Sequence, residues 1–286
     1  MLWSYRFVNE RNADSMTFNA RLRNFIAQYF GPTVVFALFI FSWYALAYGL
    51  ENNFSPASNT PMIIPPPHRL FEDIHGIVRT KIFIAFWISL KTSLVGLTIS
   101  IFFGLTLGVL MAQAKWLERS LWPYLIGLQV TPIIAIVPLM IKLVGSNFAA
   151  RVLVTVIISL FPIVSNTLFG IQSTPKNMHD LFTLHKSSRA TRLLKLQLPA
   201  ASPAIFNGLR ISAGLAVIGA IVGDFFFAKG DPGLGKLITQ FFLNSQAGPM
   251  FVTALAATLL GLMLFLAFGR LNTWVVGRWY EGSISQ

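Results

Sequence analysis

Six long apolar runs, almost free of charged residues, dominate this sequence of 286 residues. A helix needs about 20 mostly apolar residues to cross the hydrocarbon core of a bilayer. The runs of about this length are 30–50, 92–114, 121–144, 152–171, 205–227 and 251–269. A shorter apolar stretch, 82–90, precedes the second run. We therefore predict an all-α integral membrane protein with six transmembrane helices.

The composition excludes several other classes of protein. Charged residues make up 11% of the chain, against about 25% in soluble domains, which excludes a soluble or disordered protein. The net charge is +12, but the basic residues lie between apolar runs and do not form the patches typical of nucleic-acid-binding proteins. No nucleic-acid partner is expected. The absence of Cys excludes disulfides, Cys-ligated metal sites and thiol nucleophiles.

The distribution of Lys and Arg between the runs predicts the orientation of the chain. Cytoplasmic loops of membrane proteins carry an excess of these residues. Thirteen of the 22 basic residues fall on the side that holds both termini and the loop after the fourth run, and seven fall on the other side. Both termini and that loop are therefore expected in the cytoplasm.

The N-terminal arm, 1–29, is expected to contain an amphipathic helix. Apolar side chains recur there at helical spacing, at Phe18, Leu22, Phe25, Ile26 and Tyr29. Arg21 and Arg23 lie between them, as is typical of a helix at a membrane surface. The transmembrane domain is expected to cover 30–275, and a cytoplasmic tail 276–286.

Two prolines interrupt the third run. Pro132 and Pro138 lie within it, and each removes one hydrogen bond from a helix. A carbonyl freed at membrane depth must face protein or a water-filled cavity rather than lipid. The resulting bend either lines a translocation pathway or only shapes the bundle, so both prolines are candidate pathway residues.

Three charged residues fall inside the runs. Lys142 and Arg210 have side chains long enough to reach the headgroups. Asp224 is shorter, and it lies about 21 Å along a helix from Arg210, so these two residues do not pair. Asp224 is a candidate pathway or gate residue. The alternative is a helix-end residue in the interfacial region.

The segment 172–203 is long, basic and predicted to be cytoplasmic. Its basic residues are Lys176, Lys186, Arg189, Arg192 and Lys195. Apolar residues alternate with them, which predicts two short amphipathic helices joined near Lys186-Ser187-Ser188, with the second ending at Pro199. Such a pair either docks a soluble partner or lies in the headgroup layer.

This loop resembles the signature loop of ABC importer permeases, Glu-Ala-Ala, three residues, Gly, nine residues, Ile, any residue, Leu-Pro. Asp180 stands for the Glu, Leu181 and Phe182 for the two Ala, and Lys186 for the Gly, whereas Leu198-Pro199 is literal.

The flanking segments resemble the nitrate, sulfonate and taurine branch of this family. They include the proline segment 132–139, the segment 161–168, the stretch 199–210, Gly223-Asp224 and Gly233-Leu-Gly235-Lys-Leu-Ile. The resemblance covers roughly residues 60–275 in order.

The resemblance implies a permease subunit in a bacterial-type plasma (inner) membrane, surrounded by lipid. A second permease subunit, identical or related, would complete the pore, and a cytosolic ABC ATPase dimer would hydrolyse ATP with Mg²⁺. An extracytoplasmic binding protein would deliver the solute: nitrate, a sulfonate, taurine, bicarbonate or a vitamin precursor. This chain would then be no enzyme, with no catalytic residue, metal or cofactor of its own.

The resemblance also implies which residues contact the ATPase. In such permeases the signature loop forms a coupling helix that sits in a groove of the ATPase. The corresponding residues here are Asp180, Leu181, Phe182, Leu184, His185, Lys186, Ser187, Ser188 and Arg189.

The sequence also allows a nucleotide-binding loop and a different class of transporter to be considered. The segment 230–237 nearly matches a nucleotide-binding P-loop, but its last position is Leu237 and lacks the hydroxyl that holds Mg²⁺. We interpret it as an outer loop with turn residues. A self-contained secondary transporter or channel is the alternative function, although the two halves of the chain show none of the paired repeats common in such proteins.

Overall fold

The computed structural model describes residues 18–54, 64–72, 74–145, 147–225 and 230–280. Within these residues every regular element is helical. Five helices are long and apolar enough to cross a membrane, and two shorter helices that meet at a sharp bend form a sixth span when they are counted as one. The predicted all-α membrane architecture is confirmed. The chain divides into two units, Met1–Leu70 and Phe71–Gln286.

The first unit contains helix α1 (Phe18–Phe54) and a short 3-10 turn, Pro67–Arg69. The described part of the predicted arm and the first span form one helix, and Pro32 lies inside it without ending it. The indole N–H of Trp43 donates to the carbonyl of Pro65 at 3.1 Å. Residues 1–17 of the arm lie outside the described residues.

The second unit begins with α2 (Gly76–Gln113), which is longer than the predicted second span. It starts 16 residues before 92 and includes the shorter apolar stretch 82–90. Lys91 does not interrupt the helix because its side chain is exposed and its ammonium lies over the ring of Phe148, 5.5 Å from the centroid.

The predicted third span is two helices, α3 (Lys115–Val130) and α4 (Ile133–Val144), bent by 102°. The break falls at Pro132, which cannot donate a backbone hydrogen bond and precedes the first turn of α4. Pro138 lies inside α4. At 1.5 Å per residue α3 is about 24 Å long. It is therefore shorter than the roughly 30 Å hydrocarbon core.

Helix α5 (Asn147–Gln172) lies between α2 and the helix α7 (Arg189–Phe225), and small residues bring the three together. A Cβ at Gly104 would lie 2.7 Å from the side chain of Ile163, and one at Gly219 would lie 2.7 Å from the backbone of Thr155. Small residues on α2 and α7 therefore both pack on α5, as expected for helices in lipid.

Helix α7 follows a short helix, α6 (Lys176–Leu184), and runs without interruption into the fifth span. The prediction that a second amphipathic helix ends at Pro199 is wrong. A π-helical turn, Leu193–Gln197, precedes this proline. The N–H of Leu198 donates to the carbonyl of Leu193 there, and this wider turn makes room for the proline ring.

Two further helices complete the bundle. Helix α8 (Leu234–Leu243) begins inside the segment 230–237 that is interpreted above as an outer loop, so only residues 230–233 of that segment are non-helical. Helix α9 (Ala247–Tyr280) contains the sixth span. The larger core cluster is formed where α2, α7, α8 and α9 meet, and its fully buried members include Leu97, Leu234, Leu237 and Leu260.

Candidate functional site

The turn between α6 and α7 has the hydrogen bonds of a Schellman motif. The N–H of Ser187 donates to the carbonyl of Phe182 at 3.0 Å, and the N–H of Lys186 donates to that of Thr183 at 2.9 Å. Lys186 has φ of 49°, the left-handed conformation that this position of the motif requires and that glycine adopts most easily. Lys186 therefore keeps the backbone conformation that suits the Gly of the signature pattern.

The second half of this turn is fixed by a helix cap. The Ser188 hydroxyl accepts a hydrogen bond from the N–H of Thr191 at 3.2 Å, which caps the first turn of α7. Across the turn, Nη2 of Arg192 donates to the hydroxyl of Thr183 at 3.0 Å. Both ends of the turn are thus tied, and α6 is connected to α7 by a short, well-defined corner. We call residues 185–189 the docking turn.

Helix α6 presents an apolar face beside the docking turn. Leu181 is 58% exposed and Leu184 is 79% exposed, whereas Phe182 is half-buried. Leu181 and Leu184 lie three residues apart and therefore on one side of the helix. Asp180, His185, Lys186, Ser188 and Arg189 are also exposed, so the structure brings the predicted coupling residues together on one accessible surface.

At the other end of α7, Asp224 belongs to a buried polar cluster. Its Oδ1 lies 3.2 Å from Nε of Arg151 on α5, and the two side chains are 1% and 6% exposed. Its Oδ2 accepts a hydrogen bond of 2.8 Å from the backbone N–H of Lys236. A carboxylate buried in this way is tolerated because an opposite charge and a hydrogen-bond donor compensate its loss of water.

Two further contacts join this cluster to its surroundings. The hydroxyl of Ser89 on α2 accepts a hydrogen bond of 2.9 Å from the N–H of Leu234, in the first turn of α8. Nη2 of Arg151 donates to the carbonyl of Asp231 at 3.2 Å. We call Ser89, Arg151 and Asp224, with the backbone groups that they bind, the outer polar cluster. It holds α2, α5, α7 and the start of α8 together.

Gly233 and Gly235, which belong to the segment that nearly matches a P-loop, allow close packing at the outer polar cluster. A Cβ at Gly233 would lie 2.7 Å from Oδ2 of Asp224 and 2.8 Å from the hydroxyl of Ser89. A Cβ at Gly235 would overlap the backbone carbonyl of Ile221. The two glycines let α8 begin directly against α7.

The pathway candidates lie in separate places. Asp224 lies in the outer polar cluster, which includes neither Pro132 nor Pro138. Pro132 marks the break between α3 and α4, and Pro138 lies on α4, where both prolines are exposed within this chain. Their role in a pathway stays a prediction.

Sequence reasoning missed Arg151 and Ser89. Arg151 is one of the seven basic residues that fall outside the apolar runs on the side opposite the termini, but the structure places it in α5, where it is buried. A usable signal was present, because Arg151 directly precedes the fourth apolar run and Asp224 lies three residues before the end of the fifth. Consecutive antiparallel spans bring those two ends to the same side of the membrane.

Comparison with known proteins assigns the chain to a family. The family described as binding-protein-dependent transport system inner membrane component matches residues 100–278. The formylaminopyrimidine transport permease protein ThiX of Halalkalibacterium halodurans is 31% identical over 74% of this chain and 84% of its own length. The nitrate import permease protein NrtB of a Synechocystis strain is 25% identical over 83% of this chain and 86% of its own.

The fold also matches solved structures. The inward-facing MetNI methionine ABC transporter has a chain with a TM-score of 0.61 to this one, 18% sequence identity, and coverage of 68% of this chain and 96% of that chain. The helix arrangement described above is therefore shared with a chain of this transporter. The chain belongs to the binding-protein-dependent transport system inner membrane component family, the permease subunits of ABC importers.

Proposed function

We propose that this permease works with a separate cytosolic ABC ATPase and that the ATPase docks on α6 and the docking turn. The observation that carries this proposal is the exposed pair Leu181 and Leu184 beside a corner that is tied at both ends. A soluble partner that covers two exposed leucines gains hydrophobic stabilisation. The fixed corner then passes any movement of the partner to α7. Nucleotide and Mg²⁺ are bound by the ATPase in this proposal, and this chain carries no cofactor.

The basic residues around the docking turn favour an acidic partner surface. Lys186, Arg189 and Lys195 are exposed there, and charge complementarity speeds association and fixes the register of an interface. A helix buried in the headgroup layer is the competing role for the same residues. The two roles differ in what they predict for a mutation of Leu184.

A substitution at Leu184 tests the docking proposal. Leu184→Asp places a carboxylate in the centre of the interface, whereas Leu184→Met keeps its apolar character. We expect Leu184→Asp to reduce ATP-dependent uptake at least about tenfold, the equivalent of about 1.4 kcal/mol, with normal membrane insertion. Leu184→Met should keep uptake. Uptake by Leu184→Asp at the level of Leu184→Met would contradict the docking role.

We further propose that the solute is small and polar, either an oxyanion such as nitrate, a sulfonate, taurine or bicarbonate, or a vitamin precursor. Relatives named for nitrate, bicarbonate and formylaminopyrimidine support this range. An extracytoplasmic binding protein delivers the solute and sets selectivity, and a second permease subunit completes the pore.

Proteoliposomes test this function directly. The permease, copurified with its ATPase and supplied with its binding protein, is expected to take up one of these solutes only when ATP is enclosed on the ATPase side. Labelled nitrate, bicarbonate, taurine and formylaminopyrimidine are the probes. Uptake driven by an ion gradient in liposomes that contain this chain alone would instead establish a secondary transporter.

A further inference from the structure

Most exposed Ser and Thr hydroxyls in the helices of the second unit donate a hydrogen bond to a backbone carbonyl of their own helix. Thr98, Thr106 and Thr258 are exposed, and each donates to the carbonyl four residues earlier, at 2.8, 2.7 and 3.0 Å. A hydroxyl bonded in this way can face lipid at little cost, because its proton already has an acceptor.

Asn207 on α7 is also exposed, but its carboxamide is not satisfied in this way. A carboxamide has two N–H donors and a carbonyl acceptor. Nδ2 of Asn207 donates to Oδ1 of Asn166 on α5 at 3.4 Å, near the upper limit for a hydrogen bond. Among the described residues, the second N–H and the carbonyl oxygen of Asn207 have no partner. If these groups faced lipid, they would lose their hydrogen bonds to water with nothing to replace them.

Close helix packing fixes the position of this pair. A Cβ at Gly208 would lie 2.7 Å from Cβ of Asn166 and 2.8 Å from the carbonyl of Pro162. Nδ2 of Asn166 also donates to that carbonyl at 2.8 Å. Asn166 is therefore held at the contact between α5 and α7, and Asn207, the neighbour of Gly208, lies at the open edge of this contact.

Two sets of polar contacts, one near each end of the bundle, show how deep the Asn207–Asn166 pair lies in the membrane. The inner set comprises the hydrogen bonds Gln113 to Gln197 and Gln172 to Glu118, and the outer set is the outer polar cluster. Along its helix, Asn207 lies about 15 Å from Gln197 and about 25 Å from Asp224. The pair is thus within the membrane-spanning part of the bundle, nearer its inner end.

Asn207 begins an exposed stripe on α7, the helix that α2, α5, α8 and α9 surround on its other sides. The next residues of the stripe at helical spacing are Ile211, 39% exposed, and Ile218, 51% exposed. Between them, a Cβ at Gly214 would meet only one atom, at 4.0 Å in Phe265. The central helix of the bundle therefore has one open face, and that face is polar at its inner end.

We propose that this open face of α7 lines the translocation pathway and that Asn207, held by Asn166, offers hydrogen bonds to the solute in transit. This inference rests on the proposed permease function. A carboxamide can donate to an oxyanion and can both donate to and accept from a polar ring, so it suits the proposed solutes without selecting for charge. Water occupies the same groups when no solute is present.

The absence of Cys from the sequence makes accessibility measurable with single substitutions. The assembled transporter in inverted membrane vesicles carries Asn207→Cys and is treated with a membrane-impermeant cationic methanethiosulfonate. The cysteine thiolate attacks the sulfenyl sulfur of the reagent, which forms a mixed disulfide and releases methanesulfinate, and the thiolate forms only where water reaches the sulfur. We expect Asn207→Cys to react at least about tenfold faster than a cysteine that faces lipid at the same depth.

Thr106→Cys supplies that control. Thr106 is exposed on α2, and Gly108, two residues further along α2, packs against Thr167, the neighbour of Asn166. Ile211→Cys is a second test position on the open face, and it is expected to react as Asn207→Cys does. It keeps the test valid if Asn207→Cys fails to assemble.

The outcomes separate this inference from the proposed function. Fast reaction at positions 207 and 211, with loss of ATP-dependent uptake after modification, supports the pathway. Reaction no faster than that of Thr106→Cys, in vesicles whose unmodified variants transport normally, overturns the pathway assignment and leaves the permease function intact. Absence of ATP-dependent uptake in the unsubstituted transporter would count against the proposed function instead.

Discussion

At the scale of single residues, the ion pair of Arg151 and Asp224 has the strictest requirements. Each charge is buried, so each depends on the other for compensation. The Asp224 carboxylate also accepts from the N–H of Lys236 at the start of α8. Removal of Asp224 leaves the buried Arg151 guanidinium without its opposite charge, and leaves the N–H of Lys236 without this acceptor. Removal of Arg151 leaves the buried Asp224 carboxylate without its opposite charge.

We therefore expect Asp224→Ala to destabilise the folded permease by about 3–5 kcal/mol. The double variant Arg151→Leu with Asp224→Leu should lose less, because it leaves no uncompensated charge. Heating in detergent, followed by the amount of monodisperse protein, measures both. Asp180→Ala, at an exposed aspartate of α6, is the control. Equal stability of Asp224→Ala and Asp180→Ala would refute a stabilising pair.

Lys186 illustrates a residue whose backbone conformation matters more than its side chain. Its positive φ costs a non-glycine residue about 1 kcal/mol. Lys186→Gly should remove this cost and slow amide exchange in the docking turn by about fivefold. Lys186→Val should speed it, since a β-branched residue is strained there. Hydrogen exchange with mass spectrometry compares the two, and faster exchange in Lys186→Gly would show that the Lys side chain stabilises the turn.

The residue-level predictions succeeded where the pattern is local and failed where partners are distant. The turn at Lys186-Ser187-Ser188 was predictable because a cap and a left-handed residue involve only neighbours. The contacts of Asp224 were not, since its partners Arg151 and Lys236 become neighbours only when three helices pack. An aspartate near a span end has the same local pattern whether it lies in a pathway or in a buried pair.

At the scale of elements, helix α8 depends on close approach to α7. Gly235 allows this approach because the carbonyl of Ile221 occupies the place of a Cβ. We expect Gly235→Ala to displace α8 and to lower stability by about 1–3 kcal/mol, as overpacking does. Gly261→Ala on α9 is the matched control, since its Cβ would meet Val217 at an ordinary 3.9 Å. Thermal stability of the two variants should differ, and equal losses would contradict the packing argument.

Element boundaries were predictable to different degrees for physical reasons. Hydropathy located the five long apolar helices of the described residues, but it took the bent pair α3 and α4 for one span. It also placed the start of α2 too late, because it treats Lys91 as an interruption while a helix continues past one exposed lysine. It also treated Pro199 as a terminus. The π turn that accommodates this proline has no sequence signature in the apolar pattern.

At the scale of the whole molecule, the charge distribution predicts one orientation for the entire bundle. A fluorescent protein fused after residue 286 should therefore fold and fluoresce, because it does so in the cytoplasm. Alkaline phosphatase inserted between Gly230 and Asp231 should be active, because it requires the outer side. Exchange of the two reporters is the control. Phosphatase activity at residue 286 would reverse the orientation and move the docking turn away from any cytosolic partner.

Helix α7 begins at the docking turn and ends one residue after Asp224, so its 37 residues span about 55 Å as one body. A tilt of about 5° in a straight helix of this length displaces one end by about 5 Å relative to the other. Because Asp224 binds the start of α8, that helix moves with the far end of α7. In the proposed coupling role, a movement imposed at the docking turn would therefore reach Asp224 and the start of α8 through the helix itself, without a relay of side-chain rearrangements.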